Sequence, residues 1–573
     1  MLELNASNGR PIIVAGMHRS GTSLVGSLMN ALGVDMGLNL VPADAQNPRG
    51  YFEDADVVSL HGRMFQDALN GAESGHVDWG WTEEGAVDPG ALEGWADEAK
   101  QAVAGRGSRR GNWGFKDPRA TLALDLWREA LPEARYVLVF RYPWDVSDSV
   151  QRLGASVFSR NPSYGYRIWE AYNRRLLEFY EANQERSVLI CSNGLPMALD
   201  RLPQLLEEKL GLHLEATDLA AIFDSDLYTR GGGDDRRPGL VSIAYPECLE
   251  VLSSLECRAD ISSDGLWKEA VDRASRFGRV HPENPTLSIV VPTYNDGVLL
   301  LDALASAEQF APTGAELVIV NDGSSDPESI RILQSLSDAG YRLIHQDNSG
   351  LSAARNAGVR ATTSPYILPL DADNRLIGGF MDEALDALRS TPQVGVAYGN
   401  RRVFGAMQEL IEVPEFQISR MLGGNYIDAC AMFRRSAWEE IGGYDTGMTG
   451  LEDWDFWISM FEAGWGFKRM DTVGFEYRVR ADSLLEVSLK PRTRRGLLRH
   501  IREKHPDLFH SHIPRFLRAA SLLAARLLPR GAADRIRRME RACFWSALWR
   551  MVGPGGLLAR DRAVYKARMR ASD

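Results

Sequence analysis

RPIIVAGMHRSGTS, Arg10 to Ser23, joins a short apolar, β-rich run to a turn of glycine and hydroxyl residues. A helical spacing follows, with Leu24, Val25, Leu28 and Leu32 on one side. Strand, glycine turn and helix form a unit of α/β proteins, and amides at such a helix start suit a phosphate oxyanion. A second stretch, PLDAD at Pro369 to Asp373, places two carboxylates two residues apart just past another strand. That pattern suits a divalent cation holding a diphosphate. Two anion-handling signatures of different chemistry imply two active sites.

The surrounding sequence repeats the α/β pattern twice. Ala134 to Phe140 (ARYVLVF) and Arg186 to Cys191 (RSVLIC) are further buried strands, separated by helical lengths, so a first α/β domain with a parallel sheet is expected over 1–232. Glycine- and proline-rich chemistry at Arg230 to Gly239 and His281 to Pro285 brackets a helical linker region, 233–285. Leu287 to Pro292, Glu316 to Val320, Tyr341 to His345 and Tyr366 to Leu370 then predict a second α/β domain of Rossmann-like type, 286–510. The last segment, 511–573, reads as a helical tail rich in arginine. It suits either an anionic lipid surface, as a peripheral membrane contact, or packing against the acidic domains.

Composition bounds the reading. At 573 residues the chain exceeds one ordinary core, and 45% hydrophobic with 25% charged residues is ordinary for globular domains. A net charge of −12 disfavours nucleic acid as the main partner. The five cysteines are scattered with no Cys-x-x-Cys spacing, which points to free thiols in a reducing compartment. The opening residues carry no secretory pattern and no run of about 18 apolar residues occurs, so a cytoplasmic location is expected.

In the first signature, Gly16 and Gly21 let the backbone fold around an oxyanion, while Ser20, Thr22 and Ser23 supply hydroxyls and Arg19 a charged fork. An ATP-binding loop of the Walker type needs lysine directly after its second glycine, and here that residue is Thr22, which weakens a kinase reading. The segment resembles the sulfotransferases that use 3′-phosphoadenosine 5′-phosphosulfate (PAPS). FRYPWDVSDSVQR (Phe140 to Arg152) resembles that family's 3′-phosphate element, which implies that Arg141 and Ser149 grip the phosphate. GFKDPR (Gly114 to Arg119) and NPRGYFED (Asn47 to Asp54) resemble further segments of its bacterial and carbohydrate-modifying branch. The resemblance implies a P-loop-like fold, Glu53 as the base with His18 or His61 behind it, and Arg19 and Lys116 stabilising the leaving phosphate. Sulfuryl transfer needs both a proton acceptor and positive charge at the bridging oxygen.

In the second half, SIVVPTYN (Ser288 to Asn295), VNDGSSD (Val320 to Asp326), GLSAARNAG (Gly350 to Gly358) and LDAD (Leu370 to Asp373) occur in order at strand ends, where open α/β sheets bind ligands. Together they resemble the inverting family-2 glycosyltransferases of GT-A fold. The resemblance implies a nucleoside pocket lined by Pro292, Tyr294 and Asp322, with Asp371 facing the ribose and Asp373 holding Mg²⁺ or Mn²⁺. The pair Asp371 and Asp373 forms the metal-binding set, and Arg355 and Asn356 lie near a nucleotide-sugar donor. CAMFRRSAWEEIGGYDTGMTGLEDWDFW (Cys430 to Trp457) resembles the acceptor-side segment and implies Asp453 as the base, with Glu452 beside it, acting on a glycan or glycolipid. Where many relatives carry a metal-binding histidine after Phe475 to Val479, this chain has Arg480, which leaves the ligand count open. The expected whole is a bifunctional enzyme of glycan assembly. Two rivals remain: a glycosyltransferase with a non-catalytic N-terminal binding domain, and a membrane-associated scaffold with vestigial sites.

Overall fold

A computed structural model describes residues 10–511, apart from 38, 45–46, 48–49, 70–74, 107–110, 154, 224–234, 274–281, 406–407 and 480–490. The expected helical tail and Arg480 therefore lie outside the described residues. The chain forms two compact units, Met1–Ser275 and Arg276–Asp573.

The first unit is built on four parallel strands: β1 (Pro11–Ala15), β2 (Trp113–Lys116), β3 (Arg135–Phe140) and β4 (Ser187–Cys191). Their order is β2-β1-β3-β4. Every residue of β1 and β4 is buried, because helices cover both faces and the strands read as continuous apolar runs rather than alternating ones. On one face Ile12, Val14, Val137, Val139, Val188 and Ile190 pack against Val25 and Leu28 of α1 (Thr22–Ala31). Helices α2 (Ala55–Ala68), α3 (Pro143–Gln151) and α4 (Tyr164–Ala182) complete the frame. Strand β2 was not foreseen from the pattern; it is four residues long, contains Gly114 and sits at the sheet edge.

The stretch expected as a linker is helical at Arg237–Ala244, Pro246–Arg258 and Leu266–Arg273, and these helices fall within the first unit. Tyr245 stacks on Tyr166 at 4.4 Å, Cys248 Sγ lies 3.7 Å from the Tyr166 carbonyl, and Ile261 pairs with Ile190 of β4.

The second unit carries a nine-stranded mixed sheet. Its parallel half is formed by β5 (Leu287–Thr293), β6 (Ala315–Asp322), β7 (Leu343–Gln346) and β8 (Tyr366–Pro369), as the apolar runs predict. The other half, β9 (Arg375–Leu376), β10 (Val394–Gly405), β11 (Glu409–Ile411), β12 (Met432–Arg434) and β13 (Gly466–Val479), has antiparallel pairs at β8–β12, β10–β12 and β9–β13. The order is β9-β13-β10-β12-β8-β5-β6-β7, with β11 beside β10. Helices α5 (Gly297–Phe310), α6 (Leu351–Arg360), α7 (Glu452–Glu462) and α8 (Pro491–Lys504) pack around it. Trp454, Phe456 and Trp457 of α7 are buried in the core with Phe433 and Tyr444, as expected of packing side chains rather than an open sugar platform.

Candidate active sites

In the first unit the chain must reverse sharply at the end of β1. Gly16 sits at φ 154°, and a Cβ there would lie 2.1 Å from the Val139 carbonyl oxygen, so only glycine fits. Its amide donates to Thr121 Oγ1 at 2.8 Å. Arg19 adopts a left-handed conformation, and Gly21, at φ 90°, opens α1 with no side chain capping the helix. The hydroxyl of Ser20 is fully buried and meets no protein partner. An unsatisfied donor beside an uncapped helix start is a cradle for oxyanion oxygens.

The residues expected at the 3′-phosphate gather beside this loop. Arg19 Nε donates to Ser149 Oγ on α3 at 2.9 Å, and Arg141, directly after β3, donates to the Arg19 carbonyl at 3.4 Å. Arg141 also faces Asp145 at 3.7 Å. Burial, and then the nearby Arg152 and Arg141, lower the Arg19 pKa, a sign of crowded positive charge.

On the β2 side, Lys116 Nζ donates to Glu53 Oε1 at 2.6 Å and to Ser23 Oγ at 3.1 Å. Arg119 reaches Glu53 Oε2 at 3.3 Å, so both oxygens of the expected base are ion-paired. Burial lowers the Lys116 pKa, with Glu53 acting against it. His61 is committed elsewhere. Trp127 Nε1 can only donate, so His61 Nε2 accepts that bond at 2.9 Å; Nδ1 then carries the proton given to Asp117, also at 2.9 Å. His18 stacks on Trp79 with ring centres 4.1 Å apart, and burial holds its pKa well below the ordinary value.

In the second unit, Asp322 at the end of β6 accepts from Gln346 Nε2 (2.7 Å) and from the amides of Ser349 (2.8 Å) and Gly350 (2.9 Å), which fixes the loop opening α6. Pro292 is buried within β5, and Tyr294 just beyond it is 46% exposed. Arg355 of α6 is buried and bridges two acids, Asp371 at 2.6 Å and Glu452 at 2.7 Å. It ties the strand-end aspartates to the first turn of α7. Asn356 is occupied otherwise: it donates to the Tyr444 carbonyl and accepts from Trp438 Nε1 and the Tyr444 amide, so it shapes a loop.

Asp371 and Asp373 are both half-buried, in a turn closed by the Asn374 amide on the Asp371 carbonyl at 3.0 Å. Arg478 of β13 holds this turn from behind, donating to the Asp373 carbonyl at 2.9 Å and pairing with Asp302 at 2.7 Å. Among the described residues no three His, Cys, Asp or Glu side chains converge as a cation site. Asp453 receives hydrogen bonds from Asn425 Nδ2 and from the Trp454 amide, each at 2.8 Å. Burial first, then the neighbouring Glu452 and Asp428, push its carboxyl up to about 8.

Residues 11–190 match the sequence model of the "Sulfotransferase family", and residues 288–442 match "Glycosyl transferase family 2". The chain joins a sulfotransferase-family domain to a family-2 glycosyltransferase domain. Similar proteins include a chondroitin synthase of Escherichia coli, 27% identical over 195 residues, which are 33% of this chain and 28% of that one. The poly-beta-1,6-N-acetyl-D-glucosamine synthase of Staphylococcus epidermidis is 22% identical over 29% of this chain and 44% of its own length. The chain thus spans well under two thirds of these relatives. Among solved structures, S. aureus TarS 1-349 in complex with UDP-GlcNAc aligns with 15% identity and a TM-score of 0.33, over 44% of this chain and 70% of that one.

The glycosyltransferase domain also holds polar residues that no sequence pattern marks. Asp428 is buried enough, and close enough to Asp371, that its carboxyl is raised; Arg401, 3.9 Å away, opposes this. Arg478, Asp302 and Asn425 are likewise new. No local spacing marks them, because each acts through a partner far along the chain.

Proposed function

We propose that the chain is a bifunctional enzyme of glycan assembly acting in the cytoplasm. Its glycosyltransferase domain transfers a sugar, with inversion, from a nucleotide-sugar to a glycan or glycolipid. Its sulfotransferase-family domain moves a sulfuryl group from PAPS to a carbohydrate hydroxyl. The observation that supports the reading is Arg355 pairing with both Asp371, just past β8, and Glu452, the neighbour of Asp453 on α7. The synthase names borne by relatives support a polysaccharide product. Among the described residues no helix is long and apolar enough to cross a membrane.

Asp371 and Asp373 offer only oxygen ligands, which suits Mg²⁺ or Mn²⁺. With two carboxylates present, the rest of the shell falls to diphosphate and water, the usual way Mg²⁺ is held. A bound cation would offset charge on the leaving diphosphate. Tyr294 and Asp322 bracket the nucleoside, and Asp453 accepts the acceptor proton. In the other domain, Ser20, Gly21, Thr22 and Ser23 cradle the phosphosulfate, Arg141 and Ser149 hold the 3′-phosphate, and Lys116 with Arg19 faces the leaving oxygen. Glu53 is the base. Its two ion pairs equally favour a second reading, in which this domain binds a donor or acceptor without catalysis.

The test is transfer of labelled sulfate from PAPS and of sugar from a nucleotide-sugar panel to a broad set of glycan acceptors. The proposal expects sulfate transfer that is lost in Arg141→Ala and sugar transfer that is lost in Asp453→Asn. Binding of adenosine 3′,5′-bisphosphate without sulfate transfer favours the binding-domain reading. Failure to bind any nucleotide-sugar defeats the glycosyltransferase reading.

A further inference from the structure

The loop from Met421 to Cys430 leads into β12, and α7 grips it at two points. Trp454 Nε1 donates to the Met421 carbonyl at 2.6 Å, and Trp457 Nε1 to the Ile427 carbonyl at 3.0 Å. Asn425 lies between these anchors. The Ile427 amide, which can only donate, meets Asn425 Oδ1 at 3.2 Å, so the amide of the side chain is turned with Nδ2 toward Asp453 Oδ2 at 2.8 Å. The helix that bears Asp453 therefore carries, through two indoles, the residue that bonds it. Asp453 Oδ1 is held by the Trp454 amide, so rotation of the carboxylate would break both bonds.

We propose that Asn425 is a positioning residue for Asp453: it fixes the plane of the carboxylate and favours its ionised form, so that an acceptor hydroxyl meets an aligned proton acceptor. This rests on the glycosyltransferase reading above. In that reaction the acceptor O–H bond breaks and its proton passes to Asp453. The oxygen electron pair bonds the anomeric carbon, and the pair of the old C–O bond leaves with the nucleoside diphosphate. An ionised Asp453 is needed before the step, yet burial, Glu452 and Asp428 all act against ionisation. Arg355 and the Trp454 amide act for it, although Arg355 bonds Asp371 and Glu452 rather than Asp453 itself. A neutral amide donor supports the charge without adding a cation that would blunt the base.

Carbodiimide and glycine ethyl ester footprinting of the full chain from pH 5 to 10, read at Asp453 by fragment mass spectrometry, reports the protonation midpoint without any sugar donor. Asn425→Ala and Asn425→Ser are expected to raise the midpoint by about one pH unit while the unfolding temperature stays near that of the parent. An unchanged midpoint in a folded variant overturns the proposal, as does an Asp453 that takes no label at any pH. Sugar transfer that survives Asp453→Asn would instead sink the base assignment itself and leave this midpoint measurement intact.

Discussion

Replacing Arg355 with methionine keeps the length and apolar stem of the side chain but removes the charge shared by Asp371 and Glu452. The two ion pairs are not equal. The Asp371 side chain is 29% exposed, so water screens much of its loss, whereas that of Glu452 is only 10% exposed and stays behind without a cation. Breaking a buried pair costs about 3 to 5 kcal/mol, and with one partner screened the lower figure applies. For a unit of this size about 3 kcal/mol corresponds to roughly 6 to 12 °C in unfolding temperature. The loss also depends on pH. Without Arg355, Asp453, whose carboxyl is already raised to about 8, ionises only at still higher pH in the folded state. That further rise counts against the fold only above the parent's midpoint, so the added destabilisation is absent near pH 5 and grows as pH rises past 8. Unfolding of Arg355→Met and parent, followed at pH 5.5 and 8.5, measures both effects. An unfolding temperature that is unchanged, or lowered equally at the two pH values, refutes the reasoning.

Further outcomes follow from other buried charges. The carboxyl of Asp117, held far below the usual range by Arg119 and His61 against burial, contributes stability that is lost only in strong acid; Asp117→Asn should destabilise the first unit at pH 7, and its deficit against the parent in urea titrations should shrink steadily as pH falls below about 4. His505, buried between Asp455 and Glu462, has a raised pKa, so its clasp at the end of α8 holds below neutrality and is lost as pH rises through that value. Protection of the amides of 495–505, referred to the intrinsic exchange rate at each pH, should fall on the alkaline side, and His505→Ala should remove that fall. Sugar transfer should fall on acidification below about pH 8 as Asp453 gains its proton, and a rate that is flat from pH 6 to 9 counts against Asp453 as base.

Much of the frame is legible in the sequence because parallel strands covered on both faces read as apolar runs, as in Ile12 to Ala15 and Ile289 to Val291. The Asp371 and Asp373 pair and Arg355 stand out for a related reason: they sit at fixed offsets from such strands. The mixed half of the second sheet is less readable. Strands β10 and β13 mix polar residues with apolar ones and carry register shifts near Tyr398 and Asn400, which break the two-residue period. Asn425 and Asp428 lie in a loop with no period, and their partners, Asp453 and Arg401, are set by tertiary contact. Glu53 and Lys116 are legible as candidates, but their pairing is not, since Lys116 and Arg119 reach Glu53 from a strand edge that the pattern does not reveal.

The central claim is that one chain builds two independent nucleotide sites. Calorimetry of the full chain with adenosine 3′,5′-bisphosphate and, separately, with a panel of nucleotide-sugars and Mn²⁺ tests it most directly in the variants Arg141→Ala and Asp373→Ala. The account predicts that Arg141→Ala loses only the bisphosphate and Asp373→Ala only the nucleotide-sugar. Loss of both ligands in either variant, or binding of neither ligand by the parent, contradicts it.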